Sequence, residues 1–379
     1  PGCANLNATS CEQPAVHLGA DALGCLLTRP FTQRENTEMI TGHPFRRSLI
    51  IVAAALLVAV LGTPALAAEQ VDYQRLVEQA HSKFKNNNDG ANANYIPVLD
   101  EVDSSLCGVV IVTADGNTYA AGDVDHQFSI QSVAKPFTAA LVMEDQGIDA
   151  IREKIGVEPT GMPFNSIIAI EQNEQRSRNP LVNAGAIAAV SMIEAKNPDE
   201  RWQTILDGYS DFAGEPLKLL DDVYVSEAET NFRNRAIAHL LYNYGRLYSE
   251  PLEATDVYTK QGSVGVSAKQ LGMMGATIAN WGANPRTGKQ VIRKEYVDEL
   301  LAIMMMAGFY DEVGMWAYDA GLPAKTGVGG GIVAIVPGRM AIVGFSPRLN
   351  EAGNSVRSLL AIEHISNELN LSLFKTGKR

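Results

Sequence analysis

A serine and a lysine three residues apart are the first residues in this sequence that could do chemistry together. Ser132 and Lys135 lie in Phe128-Ser-Ile-Gln-Ser-Val-Ala-Lys-Pro136, where a short strand-like run gives way to a helical pattern. Positions i and i+3 share one face of a helix, so the Lys135 amine can reach the Ser132 hydroxyl. A desolvated lysine can take the proton that keeps a serine from being a strong nucleophile. The pair indicates acyl transfer through serine, although Ser-x-x-Lys alone recurs often by chance.

A second motif, Lys325-Thr-Gly327, stands at the start of a predicted strand. A Ser-x-x-Lys helix followed by a Lys-Thr-Gly strand is the arrangement of serine acyltransferases of the β-lactamase and penicillin-binding type. In that geometry the helix N-terminus and the neighbouring strand supply backbone N–H groups to the oxyanion. Here the donors would be the amides of Ser132 and Val328. The glycines at 327 and 329–331 would let a substrate carbonyl approach the backbone.

The Ser-Asp-Asn element expected of lactam-acting enzymes is absent from the sequence, and other polar motifs occur instead. With the two motifs above, they closely resemble the serine-dependent glutaminase family. The additional motifs are Glu158-Pro-Thr-Gly161, Phe164-Asn165, Asn179-Pro-Leu-Val-Asn-Ala-Gly-Ala186, Ser226-Glu-Ala-Glu-Thr-Asn-Phe-Arg-Asn-Arg235 and Trp316-Ala-Tyr318. The resemblance covers about Tyr73 to Asn370. It implies a β-lactamase-like fold and the hydrolysis of L-glutamine to L-glutamate and ammonia.

The resemblance also implies a role for each residue of a candidate site. Ser132 matches the nucleophile and Lys135 its base. Tyr310 matches a tyrosine that aids proton transfer, and Val328 matches the oxyanion amide. The residues that match those holding the α-amino and α-carboxylate groups are Asn183, Glu227, Asn234 and Tyr258, and further pocket members are Gln131 and Tyr95. One departure is Gly262, where the family often has cysteine; it removes no assigned catalytic group.

The residue types are consistent with those roles. A zwitterionic amino acid needs a carboxylate for its ammonium, which Glu227 can supply. Glu227 and Asn234 are seven residues apart, or two helical turns, so both can face one cleft. Taken singly, Glu227 is better read as a solvated helix charge, the asparagines as caps or turn residues, and the tyrosines as structural. Only their occurrence together with the serine and lysine motifs overturns those interpretations.

Two other functions stay open. The chain could be a lactam-acting acylase, either a β-lactamase or a peptidoglycan carboxypeptidase in the periplasm, but the missing Ser-Asp-Asn element speaks against it. It could also be a non-catalytic sensor that binds an amino acid. A pure receptor has no need of a nucleophile, so the set Ser132, Lys135 and Tyr310 favours an enzyme.

Predicted strands at both ends of the chain must position these residues. Leu106–Thr113 and a strand beginning near Thr118 form a hairpin, and three later runs, Ala324–Val328, Ile332–Val336 and Met340–Phe345, read as strands. The predicted helices are Val71–Phe84, Phe137–Gly147, Ala184–Ala195, Arg201–Tyr209, Glu227–Leu247, Ser267–Asn280, Lys294–Met306 and Ser355–Leu369.

This order of elements predicts an α/β (α+β) fold. One mainly antiparallel sheet is built from both chain ends and flanked by helices, with an all-helical second lobe. We expect a glutaminase domain at 68–379, its sheet lobe at 68–135 and 310–379 and its helical lobe at about 136–309. A cleft between lobes is where ligands usually sit.

Charge and composition exclude several classes of protein. The formal net charge is −12, and residues 1–67 contribute none of it, so no basic surface points to nucleic acid as a partner. The six histidines include no pair at helical ligand spacing, which disfavours a zinc hydrolase, and no metal or organic cofactor is implied. Cys107 is the one cysteine after residue 67 and reads as a small core residue. The resemblance implies a homotetramer or homodimer.

The first 67 residues read as a leader rather than as part of the fold. A secretory signal is predicted from Met39: Arg46 and Arg47 precede an apolar run, Ser48–Leu61, and Ala65-Leu-Ala67 is a small-x-small cleavage site. We expect 1–38 to be a mispredicted, disordered upstream extension and 39–67 to be removed. The mature protein would then be periplasmic or secreted, with no membrane attachment. If the segment is not a functional signal, the expectation is a cytoplasmic enzyme.

Overall fold

The computed structural model describes residues 71–375, so the predictions for 1–38 and 39–67 lie outside the described residues. The α-helices in that range are α1 (Tyr73–Phe84), α2 (Pro97–Asp100), α3 (Ala134–Gln146), α4 (Ile148–Lys154), α5 (Ile167–Gln172), α6 (Asn183–Met192), α7 (Pro198–Ala213), α8 (Asp221–Thr230), α9 (Phe232–Asn243), α10 (Pro251–Gly262), α11 (Ala268–Ala279), α12 (Val297–Ala307), α13 (Val313–Asp319) and α14 (Val356–Glu368). The strands are β1 (Gly108–Thr113), β2 (Thr118–Gly122), β3 (Phe128–Ser129), β4 (Lys218–Leu219), β5 (Val264–Val266), β6 (Ala324–Thr326), β7 (Gly331–Val336) and β8 (Met340–Phe345).

The predicted sheet built from both chain ends is confirmed. Five antiparallel strands lie in the order β2-β1-β8-β7-β6, with Gly108 of β1 opposite Phe345 of β8. Side chains alternate between the faces of a strand. Val109 and Ile111 accordingly join a core beneath α1 and α14, whereas Val110 and Val112 join the larger core that includes α11. The sheet is thus covered by helices on both faces.

The predicted all-helical lobe also contains strands. β5 pairs with β3 on one side and with β4 on the other, in a small antiparallel sheet of order β3-β5-β4. β5 is the three-residue run Val264-Gly-Val266, which is fully buried. Such a run is too short to give a reliable strand signal in the sequence. This small sheet anchors the segment that leads into the candidate nucleophile Ser132, because β3 ends at Ser129.

One predicted helix, Glu227–Leu247, is in fact two. The chain breaks at Asn231, where φ is −79° and ψ is 37°, so α8 ends at Thr230 and α9 begins at Phe232. The Asn231 side chain donates a 2.6 Å hydrogen bond from Nδ2 to the Thr259 Oγ1 of α10, which holds the break against the core. The expectation that Glu227 and Asn234 share one continuous helix was therefore wrong.

Residues 71–375 contain neither a single membrane-spanning helix nor a group of side chains arranged as a metal site. No single helix among them is long and apolar enough to cross a membrane; the bent pair Lys294–Ala307 and Tyr310–Asp319 passes that test only when joined. No three histidine, cysteine, aspartate or glutamate side chains in the same range are arranged to hold a metal ion. Cys107 is buried and has a free thiol, as expected of a core residue.

Candidate active site

The candidate nucleophile lies in a tight turn at the start of a helix. Ser132 is in a 3-10 turn, Gln131–Val133, which leads directly into α3. The preceding residue, Gln131, has φ of +47°, a left-handed conformation that a residue with a Cβ adopts at a cost. Serine was predicted at the first turn of the helix itself; the structure adds the 3-10 turn that presents its hydroxyl to a cavity.

A cavity of about 280 Å³ brings most of the predicted site residues together. The predicted members that line it are Tyr95, Gln131, Ser132, Asn183, Glu227, Asn234, Tyr258 and Val328. Two predicted residues, Lys135 and Tyr310, lie behind the lining and are buried. The Lys135 Nζ atom is 5.4 Å from the centre of the Tyr310 ring and 5.9 Å from that of Tyr258.

Lys135 is buried without a carboxylate in direct contact. Its side chain is 1% exposed, and burial lowers its pKa to about 7, partly opposed by the charge of Glu227. Its Nζ donates a 2.7 Å hydrogen bond to Oδ1 of Asn183. Asn183 Nδ2 donates in turn to Oδ1 of Asn234 at 2.9 Å. A lysine with a pKa near neutrality can act as a general base in the physiological range.

Glu227 supplies the acidic end of the cavity. Burial raises the pKa of its carboxyl group to about 7, while hydrogen bonding to Gln131 and the charge of Lys135 act in the opposite direction. Gln131 Nε2 donates to the Glu227 Oε2 atom at 3.0 Å, which fixes the carboxyl group at the cavity wall. A partly buried carboxylate with one remaining oxygen is suited to bind a cation that enters the cavity.

Tyr310 and Tyr258 are buried phenols beside Ser132 and Lys135. Burial raises the pKa of both, and a polar interaction with Ser132 partly lowers that of Tyr310. Tyr310 also has φ of +56°, which is rare for a residue that carries a Cβ. Strained backbone at this position fits a side chain whose direction is set by the site rather than by the local helix.

The backbone N–H groups of Ser132 and Val328 have no protein acceptor among residues 71–375. Both residues line the cavity. The strand end approaches the serine turn closely: a Cβ on Gly329 would lie 2.1 Å from the Ser129 carbonyl oxygen. Only glycine permits this approach. The pair of amides has the character of an oxyanion-binding site.

The cavity also contains residues that sequence reasoning did not assign. They are Ile96, Phe164, Asn165, Thr230, Asn231 and Arg233. Arg233 donates a 2.9 Å hydrogen bond from Nε to the carbonyl oxygen of Asn165 and places a cation at the cavity. Five of the six lie in motifs already noted in the sequence, and Ile96 follows the predicted pocket residue Tyr95, but a motif does not show which side chains line a cavity. A Cβ at Gly262 would lie 3.7 Å from Gln131 Oε1 and 3.9 Å from Glu227 Oε2, so a cysteine Cβ would fit.

The known proteins that this chain resembles in sequence and in structure are glutaminases. The glutaminase family model matches residues 90–374. Glutaminase 1 of Escherichia coli (strain K12) is 50% identical over 302 residues, which are 80% of this chain and 97% of that protein. Among solved structures, a probable glutaminase, ybaS, has 50% identity and a TM-score of 0.79, covering 80% of this chain and 98% of its own. A probable glutaminase from Bacillus subtilis, complexed with 6-diazo-5-oxo-L-norleucine, has 29% identity and a TM-score of 0.73. The match covers 82% of this chain and 100% of that chain. The neighbours have the β-lactamase-like fold, and the chain belongs to the glutaminase family.

Proposed function

We propose that this protein hydrolyses L-glutamine to L-glutamate and ammonia through a γ-glutamyl ester on Ser132. The observation that carries the proposal is the arrangement of the cavity. A partly buried carboxylate, Glu227, and Ser132, which has the buried Lys135 behind it, line the same cavity of about 280 Å³. A cavity with a cation-binding group and a nucleophile on its wall suits an amino acid: the first would bind the ammonium and the second would attack a reactive group on the side chain.

Recognition of the amino acid would use the polar wall around Glu227. The substrate ammonium binds the Glu227 carboxylate, and the substrate carboxylate receives neutral donors from Asn183, Asn234 and Tyr258. Arg233 adds positive charge at the same cavity. Gln131 and Tyr95 complete the pocket, with Gln131 holding Glu227 in place. Glutamine has one methylene more than asparagine, so pocket depth would set the preference between them.

The reaction would proceed by acylation and deacylation of Ser132. Neutral Lys135 takes the Ser132 proton, and Oγ attacks the side-chain amide carbon while the amides of Ser132 and Val328 bind the oxyanion. The C–N bond then breaks, and the nitrogen leaves as ammonia with a proton delivered through Tyr310 and Lys135. Water attacks the ester by the reverse relay, which releases glutamate and returns the proton to Ser132.

Two alternatives are separable by one set of measurements. A lactam-acting acylase would open a chromogenic lactam, and a sensor would bind glutamine without releasing ammonia. We expect ammonia from glutamine, much less from asparagine, and no lactam opening. Ser132→Ala should abolish ammonia release while retaining glutamate binding. Wild-type rates in that variant, or lactam opening faster than glutamine hydrolysis, would contradict the proposal.

Assembly and location form a separate part of the proposal. Following the family resemblance, we propose a homotetramer or homodimer, which native mass spectrometry would distinguish from a monomer. We propose export of the chain, supported by the signal-like sequence at 39–67. A native N-terminus near Ala68 would support export, whereas an intact Arg46-Arg47 segment on a cytoplasmic enzyme would contradict it.

A further inference from the structure

The lysine of the Lys325-Thr-Gly327 motif has no part in the reaction as described above. Its side chain is fully buried, at 0% exposed, and it does not line the cavity that holds the substrate-binding residues. No carboxylate among residues 71–375 affects its pKa; burial and the charge of Lys135 both lower it well below the ordinary value of a lysine. A buried lysine without an acidic partner is costly for a fold to keep, so its contacts need an explanation.

Three electron-rich groups surround the Lys325 Nζ atom. It donates hydrogen bonds to the carbonyl oxygens of Thr326, at 2.6 Å, and Gly308, at 3.1 Å. It also lies 3.9 Å from the centre of the Tyr310 ring. An ammonium group has three N–H donors and the face of a phenol attracts a cation, so these partners match a protonated lysine. A neutral amine would instead direct its lone pair at one of them.

Lys135 lies against the same ring but has fewer partners. Its Nζ is 5.4 Å from the Tyr310 ring centre and has one hydrogen bond to a protein acceptor, Asn183 Oδ1. The ionisable groups around Lys135 are Glu227 from α8, Tyr258 from α10, Tyr310 and Lys325. Those around Lys325 are Lys135 and Tyr310. Two buried ammonium groups repel each other, so protonation of one disfavours protonation of the other.

Lys325 also stabilises the turn that carries Tyr310. Gly308 packs so tightly on β6 that a Cβ there would lie 1.8 Å from the carbonyl oxygen of Ala324. The Thr326 N–H donates to the Gly308 carbonyl at 3.3 Å, and Lys325 Nζ donates to the same oxygen. Two residues on, Tyr310 has its left-handed backbone. These bonds hold the turn in a conformation that its own residues do not favour.

We infer that Lys325 is a positioning residue with two effects on the catalytic pair. Its three contacts favour a proton on Lys325 over one on Lys135, so that Lys135 can accept the Ser132 proton, and its contacts with Gly308 and the Tyr310 ring orient the phenol toward Ser132. The inference rests on the proposed glutaminase reaction. It assigns a cation that the nucleophile and base need but that touches neither the substrate nor the reacting atoms.

The test is the pH profile of kcat/KM for glutamine in the full-length Lys325→Met variant. Removing the cation raises the pH at which Lys135 loses its proton, so the acid limb should move upward by about one pH unit. Activity at pH 7 should fall about fivefold and largely return at pH 9. A merely structural role would lower the whole profile without moving the limb. Lys325→Gln, which can still donate to the two carbonyls, should show the same shift.

Lys294→Met is the matched control, because the exposed Lys294 has its Nζ 5.7 Å from the centre of the Trp281 ring, on the surface. It should leave the profile unchanged. If neither Lys325 variant folds, 13C NMR of the lysine Cε atoms in the wild type measures the protonation states of the two buried lysines directly. Lys135, assigned by its loss in Lys135→Met, should titrate near pH 7, with a second buried lysine still an ammonium at pH 8.

An unmoved acid limb in a folded variant, or a second buried lysine that is an amine at pH 7, would overturn the inference. Either result in an enzyme that still hydrolyses glutamine would leave the proposed function intact. A wild-type protein that releases no ammonia from glutamine would refute the proposed function instead.

Discussion

The Nζ atom of Lys135 donates a 2.7 Å hydrogen bond to Oδ1 of Asn183, and the same amide group donates to Asn234. The family resemblance gives Asn183 a role in holding the substrate. The structure shows that this amide also contacts Lys135, the proposed base. One side chain thus connects substrate binding to the protonation state of Lys135, because any change of charge at Asn183 acts on the lysine directly.

Asn183→Asp tests that connection. A carboxylate in contact with Lys135 stabilises its ammonium form and raises its pKa from about 7. The acid limb of kcat/KM should therefore move up by about two pH units, with loss of more than tenfold at pH 7. Asn234→Asp, whose amide bonds to Asn183 rather than to Lys135, should shift the limb less. Equal shifts in both variants would show that the direct contact has no special effect.

Glu227→Gln tests recognition of the substrate ammonium. The variant retains shape and loses the negative charge, so KM for glutamine should rise about 100-fold while kcat falls less than tenfold. Glu229→Gln, exposed on the same helix, is the matched control and should leave both constants unchanged. A large fall in kcat with KM unaltered would place Glu227 in the chemical step and not in binding.

Gly329→Ala tests how closely Val328 and Gly329, which follow β6, must approach Ser129 at the end of β3. Its Cβ would lie 2.1 Å from the Ser129 carbonyl oxygen, so the strand must move and carry the Val328 amide with it. We expect kcat to fall by about 100-fold, the usual effect of losing one oxyanion donor. Gly314→Ala, where no atom lies within 4 Å of the added Cβ, should keep full activity and stability. Normal kcat in Gly329→Ala would remove Val328 from the mechanism.

Lys135→Met should destroy activity but stabilise the protein. The folded pKa of Lys135, about 7, lies below that of a lysine in an unfolded chain, about 10.4. The folded state therefore loses stability relative to the unfolded state, fully below pH 7 and progressively less up to pH 10. Removing the amine should raise the free energy of unfolding by about 2 kcal/mol at pH 6 and by nearly nothing at pH 10. Denaturant unfolding at both pH values measures the change in the free energy of unfolding. A variant less stable than the wild type at pH 6 would show that the buried amine does not destabilise the folded state.

Most of the candidate site residues line one cavity, whereas some of the helices that carry them were not predicted or had the wrong bounds. Ser132, Lys135 and Lys325 stand in short motifs whose spacing has a chemical reason. By contrast, α10 was not predicted although it carries Tyr258, because three β-branched residues in its middle, Thr255, Val257 and Thr259, weaken a helical pattern. Pro251 at its first turn and Gly262 at its end were the signals available.

The break between α8 and α9 shows a second limit. Asn231 interrupts a continuous helical pattern, and the hydrogen bond that fixes it reaches Thr259 of another helix. Local propensity holds no information about that partner. The same is true of Lys325, whose contacts with Gly308 and Tyr310 depend on how the turn after α12 folds back on β6. Tertiary packing decided these features, and no local pattern encodes them.

The central claim is that Ser132 forms the covalent bond to the substrate, and mass measurement tests it most directly. Full-length protein should be incubated with 6-diazo-5-oxo-L-norleucine, digested and analysed, with Ser132→Ala treated in parallel. The account predicts one stoichiometric adduct on Ser132, lost in the variant and prevented by excess glutamate. An adduct on another residue, or inactivation that leaves Ser132 unmodified, would contradict it.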